Sequence, residues 1–261
     1  MSTLKISHIG PHGFFSCCSV SVMGIAEYLE KNKKLPDIID RKEIYTTFKI
    51  NEQDDISSLF FIHNNPNITI EYSDEIIKYQ QDVQFEIYNK LNYEVINPII
   101  AKYFTLSEDI LNIVSVIEQK YNINYDNTCC VFYRGNDKIT ETNIPSYDII
   151  LNKITSLNLD VKQYLFQSDE TEFLVYFNSI IKNNIIFNDE IIHISRRNTN
   201  INKATNDRNI RLKYIKQFLA IVYIMSKCKY VICTSGNISM WITFFRGNSI
   251  NVYQYLHNSW C

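Results

Sequence analysis

The sequence predicts an α/β protein with a mainly parallel sheet, and two observations support that prediction. Between residues 128 and 254, short apolar runs alternate with longer segments in which apolar residues recur at helical spacing. Strands and helices that alternate in this way are joined by right-handed crossovers, which bring the strands into one parallel sheet. Each apolar run also leads into polar residues, as expected where a ligand binds beyond the carboxyl ends of the strands.

The first half of the chain opens with the same order of elements. A strand is predicted at residues 4–9, followed by a turn-forming GPHG segment and a helix that starts near Ser19 or Ser21. A second strand is predicted at residues 59–65. A helix then follows, and its apolar face is formed by Ile76, Val83, Ile87 and Leu91.

The next predicted helix has a start signal of its own. Thr105 and Glu108 stand at the spacing of a capping box, in which a hydroxyl and a carboxylate pair with free amides of the first turn. The apolar residues that repeat at helical spacing behind them are Ile110, Leu111, Val114 and Ile117. The Asn-rich stretch at residues 120–127 is predicted to link the two halves of the chain.

The second half is more regular. Strands are predicted at 129–133, 162–167, 190–194, 229–233 and 249–254, and helices at about 146–157, 170–182, 210–228 and 237–246. The ends of the first four strands carry a mixture of acids, bases and small polar residues. They are Arg134, Asp137, Lys138, Ser168, Asp169, Glu170, Arg196, Arg197, Thr234, Ser235 and Asn237.

The composition restricts the class of protein. The 261 residues are 46% hydrophobic and 21% charged, which is typical of a globular chain, and the net charge of −2 gives no reason to expect nucleic acid as a partner. No leader sequence and no membrane span is evident, so we expect a cytoplasmic protein. The seven cysteines form no CxxC pair and lie mostly in apolar runs, which favours reduced core thiols over disulfides or structural zinc.

Two of the strand ends are suited to phosphate. Arg134 at a strand end, next to Gly135, could make paired charge-assisted bonds to a diphosphate; taken alone, an Arg-Gly pair more often ties down a loop, here through Asp137 or Asp169. Small residues at 234–237 before a helix leave amide groups free for phosphate, although plain N-capping by Ser235 or Asn237 is the commoner arrangement.

Other nucleotide and nucleophile signals are weaker. Asp169 and Glu170 could accept hydrogen bonds from a base or a ribose, and a solvated helix N-terminus is an equally good explanation for them. No G-x-G-x-x-G or Walker motif follows a strand, which disfavours a nicotinamide, flavin or P-loop site. The neighbouring Cys17 and Cys18 fit a core pair better than a thiol nucleophile, since no histidine has a persuasive setting beside them.

Three segments of the second half resemble, in order, the three peptide motifs of the GDP-fucose-dependent α-1,6-fucosyltransferases and nodulation fucosyltransferases, which are related to the α-1,2- and protein O-fucosyltransferases. The segments are VFYRGNDKITE, YLFQSDETEFLVYF and SKCKYVICTSGNISMWITFFRG. The resemblance implies two facing Rossmann-like domains of the GT-B type. Residues 1–125 would then form the acceptor side, and residues 126–261 the domain that binds the nucleotide sugar.

The resemblance also implies roles for individual residues. Arg134 would hold the β-phosphate of the leaving GDP, Glu141 or else Asp137 would be the general base, and Lys138 would assist nearby. Asp169, with Glu170, would contact the guanine or ribose. The phosphates would be held by Thr234, Ser235, Gly236 and Asn237. The implied reaction is inverting transfer of a sugar from a GDP-sugar to a hydroxyl of a glycan or other acceptor, without a metal or any further cofactor.

The sequence departs from the family pattern at two positions of the first motif. Phe132 stands where the family usually has a histidine, and Gly135 where it often has a second arginine. The acidic residue that the family tends to place before the third motif also has no counterpart. An alternative is therefore a catalytically degenerate glycosyltransferase fold that binds a sugar or nucleotide without turning it over. A third, weaker alternative is an interaction protein on an α/β scaffold with no nucleotide site.

Overall fold

The computed structural model describes residues 2–7, 12–62, 68, 70–195 and 206–261, except for the side chains of residues 137 and 139. Arg196 and Arg197, the side chain of Asp137 and part of the strand predicted at 59–65 lie outside these residues. In the first half, β1 (Thr3–Ser7) and β2 (Ile38–Glu43) form a two-stranded parallel sheet. The helices of this half are α1 (Phe14–Asn32), α2 (Tyr93–Tyr103) and α3 (Glu108–Tyr121).

The second half forms a six-stranded sheet that confirms the predicted α/β class. Its strands are β3 (Thr128–Tyr133), β4 (Gln163–Ser168), β5 (Asn184–Ile185), β6 (Tyr230–Thr234), β7 (Val252–Leu256) and β8 (Ser259–Trp260). Their spatial order is β5-β4-β3-β6-β7-β8, and every pairing is parallel except that of β7 with β8. The helices are α4 (Tyr147–Ser156), α5 (Thr171–Ile180), α6 (Arg208–Lys227) and α7 (Asn237–Arg246).

Two predicted elements of the first half are wrong. Ser57–Leu59 is a short 3-10 helix, and Phe61 makes a single bridge to Leu106, so the run at 59–65 is not a strand where it is described. The predicted helix over residues 76–91 is instead two separate 3-10 helices, Asp74–Gln80 and Tyr88–Lys90. Ile76, Val83 and Leu91 of the predicted apolar face are nonetheless buried, and Ile87 is half-buried, because packing rather than helix continuity determines which residues are buried there.

Smaller differences concern where α1 begins, which residue caps α3, and how residues 190–194 pair. α1 begins at Phe14 rather than near Ser19. The capping box is also wrong: Ser107 caps α3 by accepting from the Ile110 amide at 3.4 Å, whereas the Thr105 hydroxyl donates to the Ala101 carbonyl at 2.7 Å. At residues 190–194 only an isolated bridge, Glu170 with Ile194, is present instead of a strand.

The alternation of side chains along β3 separates two hydrophobic clusters. Cys130 and Phe132 face a large cluster that contains most of the core of the first half together with α6 and α7. Cys129, Val131 and Tyr133 face a smaller cluster beneath α4 and α5. Apolar residues of both halves share the large cluster, and the start of α1 lines one cavity together with the carboxyl ends of β3 and β4 and the turn after β6.

A candidate nucleotide cleft at the carboxyl ends of the strands

A cavity of about 350 Å³ opens at this edge of the sheet. The second half supplies Phe132, Arg134, Lys138, Glu141, Gln167, Ser168, Asp169, Ile192, Ile194, Tyr214, Ile215, Phe218, Gly236, Asn237 and Ile238. The first half supplies His12, Gly13, Phe14, Phe15, Ser16, Phe48 and Gln84. Six of the residues singled out in the sequence for catalysis or donor binding therefore line one cleft, which was expected because parallel strands end at a common edge.

Arg134, at the end of β3, is held through both its side chain and its backbone. Its guanidinium forms an ion pair with Asp169, and its backbone amide donates to the Thr234 hydroxyl at 2.9 Å. Asp169 also accepts from the Gly135 amide at 2.9 Å. Arg134 therefore holds the loop in place through Asp169, which was one of the two roles considered from the sequence. It also lines the cleft. Its side chain is 17% exposed, so the charge lies mostly out of bulk water.

Glu170 is fully buried beneath this loop and does not line the cavity. Its carboxylate accepts from the Asn136 amide at 3.0 Å and from the Tyr147 hydroxyl. A Cβ at position 135 would overlap the Glu170 carboxylate and lie 2.8 Å from Tyr133. Gly135 is therefore required by the close approach of that carboxylate, and no arginine side chain fits there.

Lys138 and Glu141 stand together at the rim of the cleft. They follow β3 in and after a short 3-10 helix, Asn136–Thr140, and their side chains form an ion pair. The Lys138 ammonium also lies 5.8 Å from the centroid of the Phe85 ring. Glu141 is 43% exposed and Lys138 13%, so the carboxylate is the more accessible of the two groups to an incoming molecule.

The turn after β6 is held by neutral hydrogen bonds. Ser235 donates to the Tyr255 carbonyl at 2.8 Å and, like Thr234, is buried away from the cavity. Gly236 lies at φ 151°, a backbone conformation that favours glycine, and it precedes α7 without a side-chain cap. The N-capping expected of Ser235 or Asn237 is therefore not made. Gly236 and Asn237 face the cleft with the positive end of the helix dipole.

Residues of the first half hold this turn in place, and sequence reasoning missed them. The Tyr88 hydroxyl accepts from the Gly236 amide at 3.2 Å and lies 3.1 Å from the Gly236 carbonyl. Ser19 donates to the Asn237 side chain at 2.7 Å, and that side chain donates to Gln84 at 3.2 Å. No sequence signal pointed to these contacts, because each joins residues far apart in the chain.

Tyr214 of α6 is a further residue that the sequence did not reveal. It lines the cleft, and burial raises the pKa of its hydroxyl to about 12, although the nearby Arg134 charge acts in the opposite direction. The hydroxyl therefore stays protonated at neutral pH and can donate to an anion beside Arg134. Gln167 could have been noticed in the sequence, since it is the polar residue that ends the predicted strand at 162–167, directly after an apolar run.

Within the ranges that the structure describes, no group of three or more His, Cys, Asp or Glu residues is placed to hold a metal ion. Among the described helices, none combines the length and apolar character needed to cross a bilayer.

Comparison with known proteins gives a fold match without a sequence match. No protein-family model matches the chain, and no curated protein shows significant sequence similarity to it. Among solved structures, NodZ alpha-1,6-fucosyltransferase soaked with GDP-fucose superposes with a TM-score of 0.62 at 10% identity, over 98% of this chain and 96% of that one. NodZ co-crystallised with GDP gives 0.55 at 11% identity, over 97% and 94%.

NodZ from Bradyrhizobium is similar at a TM-score of 0.53 and 10% identity, over 97% of this chain and 96% of that one. The match extends over nearly the full length of both proteins, so it includes the first half, in which no motif was identified from the sequence. At the level of fold, the resemblance to fucosyltransferases that the three motifs indicated is confirmed: the chain has the GT-B fucosyltransferase fold of NodZ.

Proposed function

We propose that this chain is a glycosyltransferase that transfers a fucosyl or similar residue from a GDP-sugar to a hydroxyl acceptor, with inversion and without metal or other cofactor. One observation carries the proposal: Arg134, Lys138 and the uncapped start of α7 line one cleft with the exposed carboxylate of Glu141. The fold match to a fucosyltransferase soaked with GDP-fucose supports the choice of donor.

The proposed donor site lies in the second half, with the diphosphate between Arg134 and the start of α7. The backbone amide of Asn237 and the positive end of the α7 dipole, together with the guanidinium, are suited to the oxygens of a diphosphate. Thr234 and Ser235 contribute by shaping the turn, since both are buried. Asp169 and Glu170 contribute by holding Arg134 and the loop, and the acceptor binds mainly to the first half.

The proposed reaction uses the rim carboxylate as the base. Glu141, or alternatively Asp137, takes the proton of the acceptor hydroxyl as its oxygen forms a bond to the anomeric carbon. The bond from that carbon to the β-phosphate oxygen breaks, and the electron pair leaves with GDP. Arg134 and Lys138 neutralise the charge that develops on the diphosphate, which is an interaction stronger in the transition state than in the ground state.

Arg134→Ala tests the proposal. We expect kcat/KM for release of GDP from GDP-fucose in the presence of acceptor to fall by about 100-fold or more, as for other preorganised donors at a developing charge. Arg208→Ala is the matched control, because that arginine is exposed and contacts only Glu52 and the Ile50 carbonyl among the contacts described. Unchanged turnover in folded Arg134→Ala would overturn the role of Arg134.

A degenerate nucleotide-binding protein is the second candidate, and a specific observation favours it. Gly135 cannot be an arginine in this fold because the Glu170 carboxylate occupies the space, so the second arginine that the family often has at this position is excluded. Calorimetry with GDP-fucose, combined with the GDP-release assay, distinguishes the candidates. Binding without release in the presence of a broad acceptor panel would favour this second function.

A further inference from the structure

Gln167, on β4, is a buried glutamine with only one end of its amide paired. The side chain is 2% exposed and lines the cleft. Its Nε2 donates to the Ser168 carbonyl at 3.0 Å, whereas its Oε1 is buried without a hydrogen-bond partner among the described residues. The bond to Ser168 fixes which end of the amide is the oxygen, so Gln167 offers an unpaired buried acceptor at that position, beside the second N–H of the same amide.

A second buried glutamine shows that the fold can pair both ends of such an amide. The Oε1 of Gln254 on β7 accepts from the Tyr88 amide at 2.9 Å. Its Nε2 donates to the Glu86 carbonyl and to the Ser235 hydroxyl, each at 2.9 Å. Buried polar groups in native proteins are paired in about nine cases out of ten. An unpaired acceptor in the wall of a cavity therefore indicates a ligand that supplies the missing donor.

The surroundings of Gln167 suit a flat, largely apolar group. Its strand partner is Phe132, two residues before Arg134. The apolar and aromatic side chains that line the same cavity include Ile192, Ile194, Tyr214, Ile215 and Phe218. A sugar has hydroxyls on all sides and needs many polar partners, which these mostly apolar side chains do not provide. A nucleobase has apolar faces and polar groups confined to its edge, so it matches an apolar wall with one acceptor.

The acidic pair next to Gln167 is already engaged. Asp169 accepts from the Gly135 amide and pairs with Arg134, while Glu170 accepts from the Asn136 amide and the Tyr147 hydroxyl. Both carboxylates thus hold the loop in the arrangement that places Arg134 in the cleft. Contact of either one with a base would require these bonds to break.

We propose that Gln167 determines the specificity for the nucleobase, by accepting through Oε1 a hydrogen bond from an N–H group on the edge of the base. The proposal rests on the proposed function. Guanine presents adjacent donors, N1–H and the 2-amino group, on one edge, whereas adenine presents one amino group beside an acceptor nitrogen. Oε1 can therefore accept from either of two neighbouring donors of guanine but from only one group of adenine, and the base lies against the apolar wall with its diphosphate toward Arg134.

Gln167→Leu removes the acceptor at similar volume and is tested by calorimetry with GDP, ADP and ribose 5-diphosphate, which lacks a base. We expect affinity for GDP to fall about 10-fold, the equivalent of one lost hydrogen bond, with affinity for ribose 5-diphosphate unchanged and the preference for GDP over ADP reduced. Gln163→Leu is the matched control, because Gln163 begins the same strand and does not line the cleft.

The outcomes separate this inference from the proposed function. If Gln167→Leu binds GDP as tightly as the wild type, or loses GDP and ribose 5-diphosphate equally, the role in base recognition is overturned while a nucleotide site remains. If the wild type binds no nucleoside diphosphate, the proposed function fails, and this inference fails with it.

A measurement on the wild type alone decides the question should Gln167→Leu not fold. Affinity for GDP is compared with that for N1-methyl-GDP and for inosine diphosphate, which lacks the 2-amino group. A loss of about 10-fold or more with at least one analogue supports the hydrogen bond. Equal affinity for all three would overturn it.

Discussion

The loop after β3 and the turn after β6 are neighbours that both line the cleft, and they are held by different kinds of contact. The charged loop, residues 134–141, is held by Asp169 and Glu170 at and just beyond the end of β4, the next strand of the same sheet. The neutral turn, residues 234–237, is held in part by Tyr88, Gln84 and Ser19 of the first half. The charged loop is thus held by residues of the second half, whereas the position of the neutral turn also depends on how the two halves pack.

Because the two supports differ, we expect their removal to have different effects on the stability of the protein and on the position of α7. Charge-assisted bonds to a buried carboxylate are roughly twice as strong as neutral ones, so loss of the support under the charged loop should lower the stability of the protein. Loss of a neutral bond to the turn should cost less stability and should act mainly on the position of α7. Substitutions on the two sides therefore test whether stability and nucleotide affinity can be changed separately.

Gly135→Ala is expected to have the largest effect. The new methyl group overlaps the Glu170 carboxylate, which must move and lose its bonds to Asn136 and Tyr147. We expect a loss of about 3 kcal/mol in the free energy of unfolding, measured in urea. Gly13→Ala is the control, since nothing lies within 4 Å of its added methyl group. Equal stability of the two variants would show that Glu170 does not constrain position 135.

Glu170→Gln keeps the shape but removes the charge. One of the two donors that face this side chain, Asn136 N–H or Tyr147 O–H, would then meet an amide N–H instead of an oxygen. We expect a loss of about 2 kcal/mol in the free energy of unfolding, together with weaker GDP binding as the loop that carries Arg134 loosens. A variant with unchanged urea midpoint and unchanged GDP affinity would contradict the support assigned to the charged loop.

Tyr88→Phe tests the neutral turn. It removes the hydroxyl that pairs with the Gly236 amide and leaves that buried group without a partner. We expect about 1 kcal/mol of lost stability and a clear rise in the Kd for GDP, because the start of α7 is no longer fixed. Tyr79→Phe is a suitable comparison: it removes a hydroxyl bonded to the Asn92 carbonyl at 2.7 Å, away from the cleft. If both variants bind GDP equally well, Tyr88 does not position the turn.

Ser19→Ala should have a smaller effect. The Ser19 hydroxyl donates to Asn237 and accepts from the Trp241 indole at 3.0 Å. We expect a loss of roughly 0.5–1 kcal/mol in thermal or urea unfolding, with a small decrease in GDP affinity. Ser21→Ala provides the control, because its hydroxyl donates to the Cys17 carbonyl within α1 and does not reach α7.

The smallest difference is expected between the rates at which individual cysteine thiols react with a labelling reagent at pH 8. Burial raises the pKa of Cys233, on β6, to about 12 and raises the pKa of Cys129, on β3, well above its usual value. At a pH well below the raised pKa, only a small fraction of each thiol is present as thiolate. Both thiols should therefore react slowly until the pH approaches the shifted pKa or the strand opens. The partly exposed Cys261 should react first. Faster labelling of Cys233 than of Cys129 would show that the neutral turn opens more often than the charged loop.

The sequence predicted the second half well because its elements have local signatures. β3, β4, β6 and the helices α4 to α7 follow apolar runs and helical periodicity, which depend on neighbours in the chain. In the first half, short 3-10 helices and irregular segments are buried by packing against distant residues. α2 even contains Pro98, and β2 has the polar sequence IIDRKE, so neither carries a typical pattern.

The same distinction applies to the cleft. Arg134, Asp169 and Gly236 could be placed at one edge because parallel strands end together. The sequence could not show that Glu170 lies beneath the loop, because whether a carboxylate in an acidic pair is buried depends on the backbone of another strand. It also could not show the contributions of Tyr88 and Ser19, which come from the other half of the chain.

The bonds from Tyr88, Gln84 and Ser19 to the neutral turn have a consequence for cooperativity. A nucleotide that orders the start of α7 would also order the segments of the first half that hold it. Backbone amides near residues 19 and 84–88 would then exchange their hydrogens more slowly when the nucleotide is bound. Under the proposed function, donor binding would in this way order the half of the chain that is proposed to bind the acceptor, before any acceptor arrives.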